Sequence, residues 1–301
     1  MVSPHLRSAC RRPGRLVLGL FAASLLCASP SCAGETGTGR PPAGAPGDEK
    51  ATPAAPAPPP GADTKPERLA VRVLETYPHD PEAFTQGLLF HEGVLYESTG
   101  RYGRSELRRV DPESGRVLAF RRLPGSFFGE GLARIGDRLV QLTWRSGVAL
   151  VWDVESFERR GELSYSGEGW GLAGAGDRLV MSDGSSRLTF RDPETFAELG
   201  DVRVTLRGRP LEHLNELEVV DGEIWANVWG TDLVVRIDPD SGEATGVADL
   251  SELRALLPPE EAQGIDVLNG IAWWPERRAF LLTGKLWPRA FLVDIARAEN
   301  E

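Results

Sequence analysis

The chain has 301 residues, a formal net charge of −10 and four histidines. Such an acidic chain is not expected to bind nucleic acid or the surface of an anionic membrane. All three cysteines lie within the first 32 residues, so no disulfide or cysteine nucleophile is expected beyond them, and the few histidines, none at ligand spacing, argue against a histidine zinc site.

The N-terminal segment predicts export from a bacterial cell. Four arginines precede an apolar run from Leu16 to Cys27, which is shorter than the ~20 residues that span a bilayer and is typical of a signal peptide. Cys32 lies where a bacterial lipoprotein is cut and acylated, although Ser29 replaces the usual aliphatic residue. We therefore expect residues 1–32 to be a lipoprotein-type signal peptide with Cys32 as the lipidation site. The alternative is cleavage after Ala33, which would release a soluble secreted protein.

Residues 33–66 predict a linker between this leader and a folded domain. They are rich in Pro, Ala and Gly and contain few large apolar side chains. Such a segment buries too little surface to fold. Residues 67–301 are then the expected folded domain, held in the periplasm or at the cell surface and attached to the membrane only through the lipid.

One short pattern occurs five times in residues 67–301, at steps of roughly 40 to 55 residues. It consists of a polar residue, usually Gly, and an apolar residue. The copies are Gln86-Gly87-Leu88, Glu130-Gly131-Leu132, Glu168-Gly169-Trp170, Asn215-Glu216-Leu217 and Asn269-Gly270-Ile271. A turn and an apolar strand follow each copy, and repeats of this length are typical of propeller blades.

The rest of each repeat predicts antiparallel strands. Each repeat carries an Asp after a later apolar strand, and three of these open Asp-Pro turns. The five are Asp111, Asp153, Asp192, Asp238 and Asp294. Only Ser251 to Leu257 predicts a helical turn. We predict an all-β fold, a five-bladed β-propeller in which Leu69 to Tyr77 completes the last blade and closes the ring.

Two positions of the repeat predict a site. The polar residues of the pattern are expected either to converge near one end of the central channel or, for Glu168 and Asn269 especially, only to bond neighbouring backbone. A second position, after each following strand, is occupied by Gly100, Trp144, Gly184, Trp229 and Lys285. With Trp170, these residues predict a small pocket with apolar walls and a few polar groups. Because Phe127 and Phe128 flank Glu130, its pKa is expected to be raised toward the range useful for proton transfer.

Ten segments between Tyr77 and Phe291 resemble, in order, the plant-type glutaminyl cyclases, a family also called glutamine cyclotransferase. They are FTQGL (84–88), LYESTGRYG (95–103), FGEGL (128–132), LTWR (142–145), GEGWGL (167–172), SDGS (182–185), LNELE (214–218), ANVW (226–229), LNGIAW (268–273) and TGKLWP (283–288). The resemblance implies a five-bladed propeller that converts the N-terminal glutamine of peptides or proteins to pyroglutamate and releases ammonia without a metal. Carried over by position, its pocket residues are Phe84, Gln86, Phe128, Glu130, Trp144, Trp170, Asn215, Trp229 and Lys285.

In the implied reaction the substrate's α-amine attacks its own γ-amide carbon. Glu130 is expected to carry the proton from this amine to the departing nitrogen. Gln86, Asn215 and Lys285 are candidate catalytic donors to the γ-carbonyl oxygen and binders of the peptide group. The aromatic residues among the nine are expected to bind the substrate and to exclude water.

Two other functions remain alternatives at this point. One is a metal-dependent propeller hydrolase, such as a lactonase, with Glu130, Glu168, Asn215 and Asn269 as ligands of one cation. The other is a non-catalytic propeller that binds the N-termini of exported proteins, against which the presence of Glu130 and Lys285 argues. For the cyclase we expect no cofactor and a monomer, and a structural cation in the central channel is compatible with this expectation.

Overall fold

The computed structural model describes residues 65–297. The predicted signal peptide 1–32, with Cys32, lies outside the described residues, as do residues 298–301 and all of the predicted linker except Lys65 and Pro66. The described part is all-β, as predicted, with 22 strands and one short helix. Within it no helix is long and apolar enough to cross a membrane.

The first strand, β1 (Glu67–Pro78), pairs with strands from the C-terminal part of the chain. The next twelve strands form three separate sheets. Each sheet contains four consecutive antiparallel strands. Group I is β2 (Thr85–His91), β3 (Val94–Thr99), β4 (Glu106–Val110) and β5 (Val117–Arg122). Group II is β6 (Gly129–Ile135), β7 (Arg138–Thr143), β8 (Val148–Asp153) and β9 (Arg159–Ser164). Group III is β10 (Leu172–Ala175), β11 (Arg178–Ser182), β12 (Arg187–Arg191) and β13 (Glu198–Arg203).

The remaining strands form two further groups after a small hairpin of β14 (Thr205–Leu206) and β15 (Arg209–Pro210). Group IV is β16 (Leu214–Val220), β17 (Glu223–Val228), β18 (Leu233–Ile237) and β19 (Ala244–Asp249). The helix α1 (Ser251–Ala255) follows, within the segment predicted to be helical. Group V is β20 (Leu268–Trp274), β21 (Ala279–Gly284) and β22 (Arg289–Arg297), with β1 as its fourth strand.

Strand β1 joins the two ends of the described chain. It pairs antiparallel with β22 from Leu69 opposite Arg297 to Pro78 opposite Arg289. Its first residues, from Glu67 to Leu69, also pair in parallel with β19. Groups IV and V are therefore continuous as one eight-stranded sheet.

The first strands of the five groups contact one another in a closed circuit. Strand β2 contacts β6 and β20, β6 contacts β10, and β16 contacts β10 and β20. The glycines of the repeated pattern allow this close approach. A Cβ atom on Gly87 would lie 2.6 Å from the backbone nitrogen of Leu132, and one on Gly131 would overlap the backbone of Leu172.

The hydrophobic core is divided among five clusters, one between each pair of neighbouring groups. Between groups I and II, for example, Leu89 and Leu107 pack with Leu132 and Leu150. The other four clusters join groups II and III, III and IV, IV and V, and V and I. Because successive side chains of a strand point to opposite faces, Leu88 and Leu89 of β2 belong to different clusters, on opposite faces of group I.

The repeated aspartates form the turns that the sequence predicted, with one difference. The carboxylate oxygens of Asp111, Asp153, Asp192 and Asp238 accept hydrogen bonds from backbone N–H groups two or three residues later. Asp294 instead lies within β22 and pairs with Arg72 of β1. The last repeat has no fourth strand of its own to turn into, because β1 occupies that place.

Candidate functional site

A cavity of about 370 Å³ lies beside the beginnings of β2, β6 and β16. It is lined by Phe84, Gln86, Phe128, Glu130, Trp144, Trp170, Asn215, Trp229, Asp266 and Lys285. All nine residues predicted to form the pocket are thus brought together, and Asp266 is the one lining residue that the sequence analysis missed. Two larger clefts, of about 810 and 660 Å³, contain none of the predicted residues.

Three polar side chains of this cavity lie at register shifts near the start of their strands. The pairing of β2 with β3 slips between Thr85 and Gly87, and that of β6 with β7 slips between Gly129 and Leu132. A similar shift in β16 lies between Leu214 and Leu217. An extra residue at such a bulge leaves the ladder and its side chain is re-aimed. The residues released in this way include Gln86, Glu130 and Asn215. Strand β20 has a similar shift between Leu268 and Ile271, but its Asn269 does not line the cavity.

Glu130 is buried, with 5% of its surface exposed. Its Oε1 accepts a hydrogen bond of 3.1 Å from Nε2 of Gln86. Burial raises the pKa of Glu130 well above its usual value, the positive charge of Lys285 offsets part of this rise, and the charge of Glu168 adds to it. The direction is the one expected from its apolar neighbours in the sequence.

Asn269 does not line the cavity but contacts the side chain of Gln86, which does. Its Nδ2 donates to the backbone oxygen of Thr85, at 3.1 Å, and lies 3.4 Å from Oε1 of Gln86. Since Gln86 in turn donates to Glu130, the three side chains form one hydrogen-bonded chain. The alternative prediction, that Asn269 bonds neighbouring backbone, is the one that the structure favours.

Glu168 also lies behind the cavity wall. Its Oε2 accepts hydrogen bonds from the indole nitrogens of Trp144, at 2.7 Å, and Trp170, at 3.0 Å. Its Oε1 accepts from Nε of Arg145 at 2.8 Å. Burial alone would raise the pKa of Glu168, but these hydrogen bonds from Trp170, Arg145 and Trp144 lower it. Glu168 therefore stays ionised and orients two of the pocket's indoles.

Lys285 is the buried cation of the cavity. Its Nζ lies 5.0 Å from the ring centroid of Phe84, and the guanidinium of Arg101 lies 4.6 Å from the same centroid. Burial lowers the pKa of Lys285, and the nearby charges of Glu130 and Asp266 act against that change.

Asn215 is also buried, and its Oδ1 has no hydrogen-bond partner among residues 65–297. A buried amide oxygen without a partner is costly, so one that lines a cavity is ready to accept a hydrogen bond from a ligand.

The aromatic walls depend on Gly100 and Gly184, two glycines that occupy the same position of the repeat as Trp144, Trp229 and Lys285. A Cβ atom on Gly100 would overlap the ring of Phe128, and one on Gly184 would lie 2.7 Å from the ring of Trp170. Trp229 packs edge-on to Trp170 with centroids 6.0 Å apart and keeps 41% of its surface exposed. One large aromatic thus remains accessible to an arriving ligand.

Among the described residues, no group of three or more His, Cys, Asp and Glu side chains is placed to hold a metal ion. Of the four ligands considered for a metal-dependent hydrolase, Glu168 is occupied by the hydrogen bonds described above, and Asn269 does not line the cavity. Glu130 and Asn215 remain directed to the cavity.

The family model described as glutamine cyclotransferase matches residues 49–295. A glutaminyl-peptide cyclotransferase of Arabidopsis thaliana is 40% identical over 230 residues, which are 76% of this chain and 72% of that protein. The crystal structure of Myxococcus xanthus glutaminyl cyclase superposes with a TM-score of 0.71 at 43% identity, covering 78% of this chain and 100% of that one.

Proposed function

The chain belongs to the glutamine cyclotransferase family. From this premise we propose that the protein acts as a glutaminyl-peptide cyclotransferase and that the cavity is its active site. The substrate is a peptide or protein with an N-terminal glutamine, and the products are its pyroglutamyl form and ammonia. The observation that carries the assignment is the buried Glu130, with its raised pKa, in one cavity with Lys285 and the unpartnered amide oxygen of Asn215.

The reaction forms one C–N bond and breaks another. The neutral α-amine attacks the γ-carbonyl carbon, the tetrahedral intermediate collapses, and the original amide nitrogen leaves as ammonia. One proton must pass from the attacking nitrogen to the leaving nitrogen. Both nitrogens are attached to the same carbon in the intermediate, so a single carboxyl group can serve both.

We assign this proton transfer to Glu130. Its raised pKa brings the carboxyl closer to the working pH, where a group accepts and returns a proton most readily. The hydrogen bond from Gln86 holds one carboxylate oxygen in place and leaves the other for the substrate. A positioned acid and base of this kind contributes about 10²–10⁴-fold in rate.

Lys285 and Asn215 are assigned to the substrate's amide group. The ammonium of Lys285 would donate to the γ-carbonyl oxygen as it becomes negative, an interaction of the type that contributes about 10²–10³-fold in rate. The Oδ1 atom of Asn215 would accept from an N–H of the substrate, which would satisfy the polar atom that is otherwise buried alone. Gln86 then acts mainly on Glu130.

The aromatic residues hold the glutamine side chain in the curled conformation that cyclisation needs. Phe84, Phe128 and Trp144 pack in series, with centroids 6.1 and 5.7 Å apart, and Trp170 and Trp229 form a further pair. Excluding water keeps the amine and the carboxylate poorly solvated, so that their interactions are stronger than in solution. The cavity is complete within one chain, which supports action as a monomer.

We also propose that groups I to V are the blades of a five-bladed β-propeller, with β1 as the last strand of the fifth blade. The closed circuit of first strands and the five apolar clusters between consecutive groups support this arrangement. A protein lacking residues 67–78 should lose cooperative unfolding, because the fifth group would lose a strand and two of its clusters would be exposed. Retention of a sharp thermal transition would contradict the arrangement.

Export and attachment are proposed from the leader alone. An acylated Cys32 would hold the enzyme at the cell envelope, where peptides and proteins that begin with glutamine emerge after their own processing.

The experiment that tests the function is ammonia release from a dipeptide that begins with glutamine, measured with and without excess EDTA. We expect release at the same rate under both conditions. Loss of release with EDTA would support a catalytic metal, and no release from any glutamine-initiated peptide would support a binding protein instead.

A further inference from the structure

The segment that carries Lys285 has a strained backbone. It connects β21 to β22, and Leu286, next to Lys285, has a φ angle of +62°. A residue other than glycine seldom adopts this conformation, and it persists only where the surroundings hold it. What holds this segment therefore determines where the Lys285 ammonium lies.

Two parts of the chain hold the segment through backbone hydrogen bonds. On one side, Lys285 exchanges hydrogen bonds of 2.8 and 2.9 Å with Asp266 and Val267. On the other, the N–H of Leu286 donates to the oxygen of Ala83 at 2.7 Å, and the N–H of His79 donates to the oxygen of Pro288 at 2.8 Å. On this second side, one titratable side chain also bonds to the backbone of the segment itself.

That side chain is His79, which is buried with 7% of its surface exposed. Its Nδ1 lies 2.6 Å from the backbone oxygen of Trp287, and its Nε2 lies 3.0 Å from Oε1 of Glu97. A carbonyl and a carboxylate oxygen only accept hydrogen bonds, so both ring nitrogens must carry a proton. The nearby hydroxyl of Thr283 already donates to the oxygen of Arg289, at 2.9 Å. With Glu97 ionised, this bonding pattern is that of an imidazolium.

The carboxylate of Glu97 extends the contact to the strand that carries Gln86. It accepts a hydrogen bond of 2.8 Å from the hydroxyl of Thr85, the residue before Gln86. Arg108 lies 3.6 Å from the same carboxylate and also pairs with Asp80 and Glu106, at 2.9 Å each. His79 and Glu97 thus connect the segment of Lys285 with the strand of Gln86.

The charges around His79 favour its ionised form. Burial by itself would lower the pKa of His79, but the charge and hydrogen bond of Glu97, the bond to Trp287 and the charge of Asp80 raise it. Burial would likewise raise the pKa of Glu97, and His79, Arg108 and Thr85 reverse that effect and lower it. Both shifts favour the ion pair of His79 and Glu97 over the neutral pair.

We infer that His79 is a positioning residue for Lys285. Its imidazolium is held by Glu97 and hydrogen-bonds to the backbone oxygen of Trp287. This contact fixes the strained segment and thereby the position of the Lys285 ammonium in the cavity. His79 does not line the cavity and touches no substrate. The inference rests on the proposed function in so far as Lys285 takes part in catalysis. Its structural part, that His79 sets the surroundings of Lys285, stands independently.

The kinetic test is a double-mutant cycle on the full chain, with a glutamine-initiated dipeptide as substrate. We expect His79→Gln to lower kcat/KM by about tenfold to a hundredfold, since a misplacement near 1 Å costs up to this much. In a Lys285→Met background the same substitution should have little further effect. Multiplicative losses in the double variant would overturn the inference, because His79 would then act without Lys285. His91→Gln is the matched control, since His91 ends β2 outside the cavity and lies 3.9 Å from the exposed Glu92.

A second measurement does not depend on activity. The chain contains only three lysines, Lys50, Lys65 and Lys285, so lysine-selective ¹³C labelling gives a signal for Lys285 that a Lys285→Arg variant assigns. His79→Gln should shift the Lys285 signal and its titration, and His91→Gln should not. If His79→Gln does not fold, ¹⁵N spectra of the wild-type histidines at pH 7 decide instead. Two protonated ring nitrogens on His79 are expected, and a neutral ring would overturn the inference.

These outcomes separate the inference from the proposed function. A wild-type protein that releases no ammonia would refute the function, whereas the Lys285 and His79 signals would still report the contact. An active wild type with an unchanged Lys285 signal in His79→Gln would refute the inference alone.

Discussion

The amide of Gln86 donates a hydrogen bond of 3.1 Å to the carboxylate of Glu130, although the two residues are 44 positions apart in the chain. They occupy the same place in consecutive copies of the repeated pattern. The same position of the repeat therefore supplies two different groups to one cavity: the buried carboxyl group of Glu130 and the amide of Gln86 that orients it. Because this hydrogen bond occupies one carboxylate oxygen of Glu130, the proposed proton transfer falls to the other oxygen.

Replacing Glu130 with glutamine should stop turnover and leave the fold intact. The amide keeps the size of the side chain and can still accept from Gln86, but it cannot carry a proton. We expect kcat to fall by about 10²–10⁴-fold, with an unfolding temperature equal to or above that of the wild type, since the cost of burying a charge disappears.

Ammonia release and circular dichroism on the same samples measure both effects. Glu158→Gln is the control, because Glu158 is exposed and outside the cavity. A Glu130→Gln enzyme with near-wild-type kcat would remove Glu130 from the proton transfer.

Gly100→Ala should narrow the aromatic pocket without straining the backbone. Gly100 does not have a positive φ angle, yet an added Cβ would overlap the Phe128 ring and lie 3.1 Å from Cγ of Gln86. Overpacking of this kind costs about 1–3 kcal/mol, so we expect kcat/KM to fall about tenfold or more, mainly through KM.

The matched control is Gly161→Ala, where an added Cβ would meet nothing within 4 Å. Steady-state kinetics of both variants against one dipeptide give the comparison. Equal KM values for the two would show that Phe128 moves aside freely and does not shape the substrate site.

Much of the site could be predicted because the repeat marks its positions. The pattern and the family resemblance together identify Glu130, Gln86 and Asn215. Each of the three lies at a register shift within its strand, as does Asn269, which lies behind the cavity. Glu168 occupies the same place in the pattern but precedes β10, whose pairing has no shift. Its side chain turns instead to the indole nitrogens behind the wall, which the pattern alone does not reveal.

The residues that escaped the sequence analysis depend on long-range contacts. Glu216 occupies the glycine position of the fourth copy, and its carboxylate accepts hydrogen bonds from the backbone N–H groups of Leu88, at 3.2 Å, and Ile271, at 2.8 Å. It therefore bridges three of the first strands at once. Asp266 lies between α1 and β20, outside the repeated pattern. Nothing local in the sequence indicates either contact, although the break in the glycine pattern at Glu216 is visible.

Cys32→Ser should abolish lipid attachment. If Cys32 is the acylated residue, the wild-type protein will incorporate a radiolabelled fatty acid and sediment with membranes, and the variant will do neither. Labelling in the producing bacterium followed by fractionation measures both. A wild-type protein that begins at Gly34 and stays in the soluble fraction would establish cleavage after Ala33 instead.

Stability should fall as the pH rises from about 5 to 8, and Glu218 should account for part of the loss. The carboxylate of Glu218 accepts hydrogen bonds from the backbone N–H groups of Trp273, at 2.9 Å, and Val219, at 2.8 Å. These bonds lower its pKa, but burial outweighs them and raises the pKa from 4.5 to about 7. An acid whose pKa is higher in the folded state stabilises the fold fully below its unfolded pKa and loses that contribution as the pH passes through its folded pKa. The window is therefore about pH 4.5 to 7, with a loss of at most about 3 kcal/mol, reduced by the partial contact of Glu218 with solvent.

Urea unfolding of the wild type and Glu218→Gln at pH 5 and pH 8 tests this expectation. The free energy of unfolding of the variant should depend less on pH, because its amide has no charge to bury. Some dependence should remain, since burial also raises the pKa values of Glu130 and Glu216. Carboxylates with lowered pKa values act in the opposite direction but below this window, as Asp153 does with a pKa of about 2. A wild type that is more stable at pH 8 than at pH 5, or a variant with an unchanged pH dependence, would mean that Glu218 is ionised in the folded protein throughout.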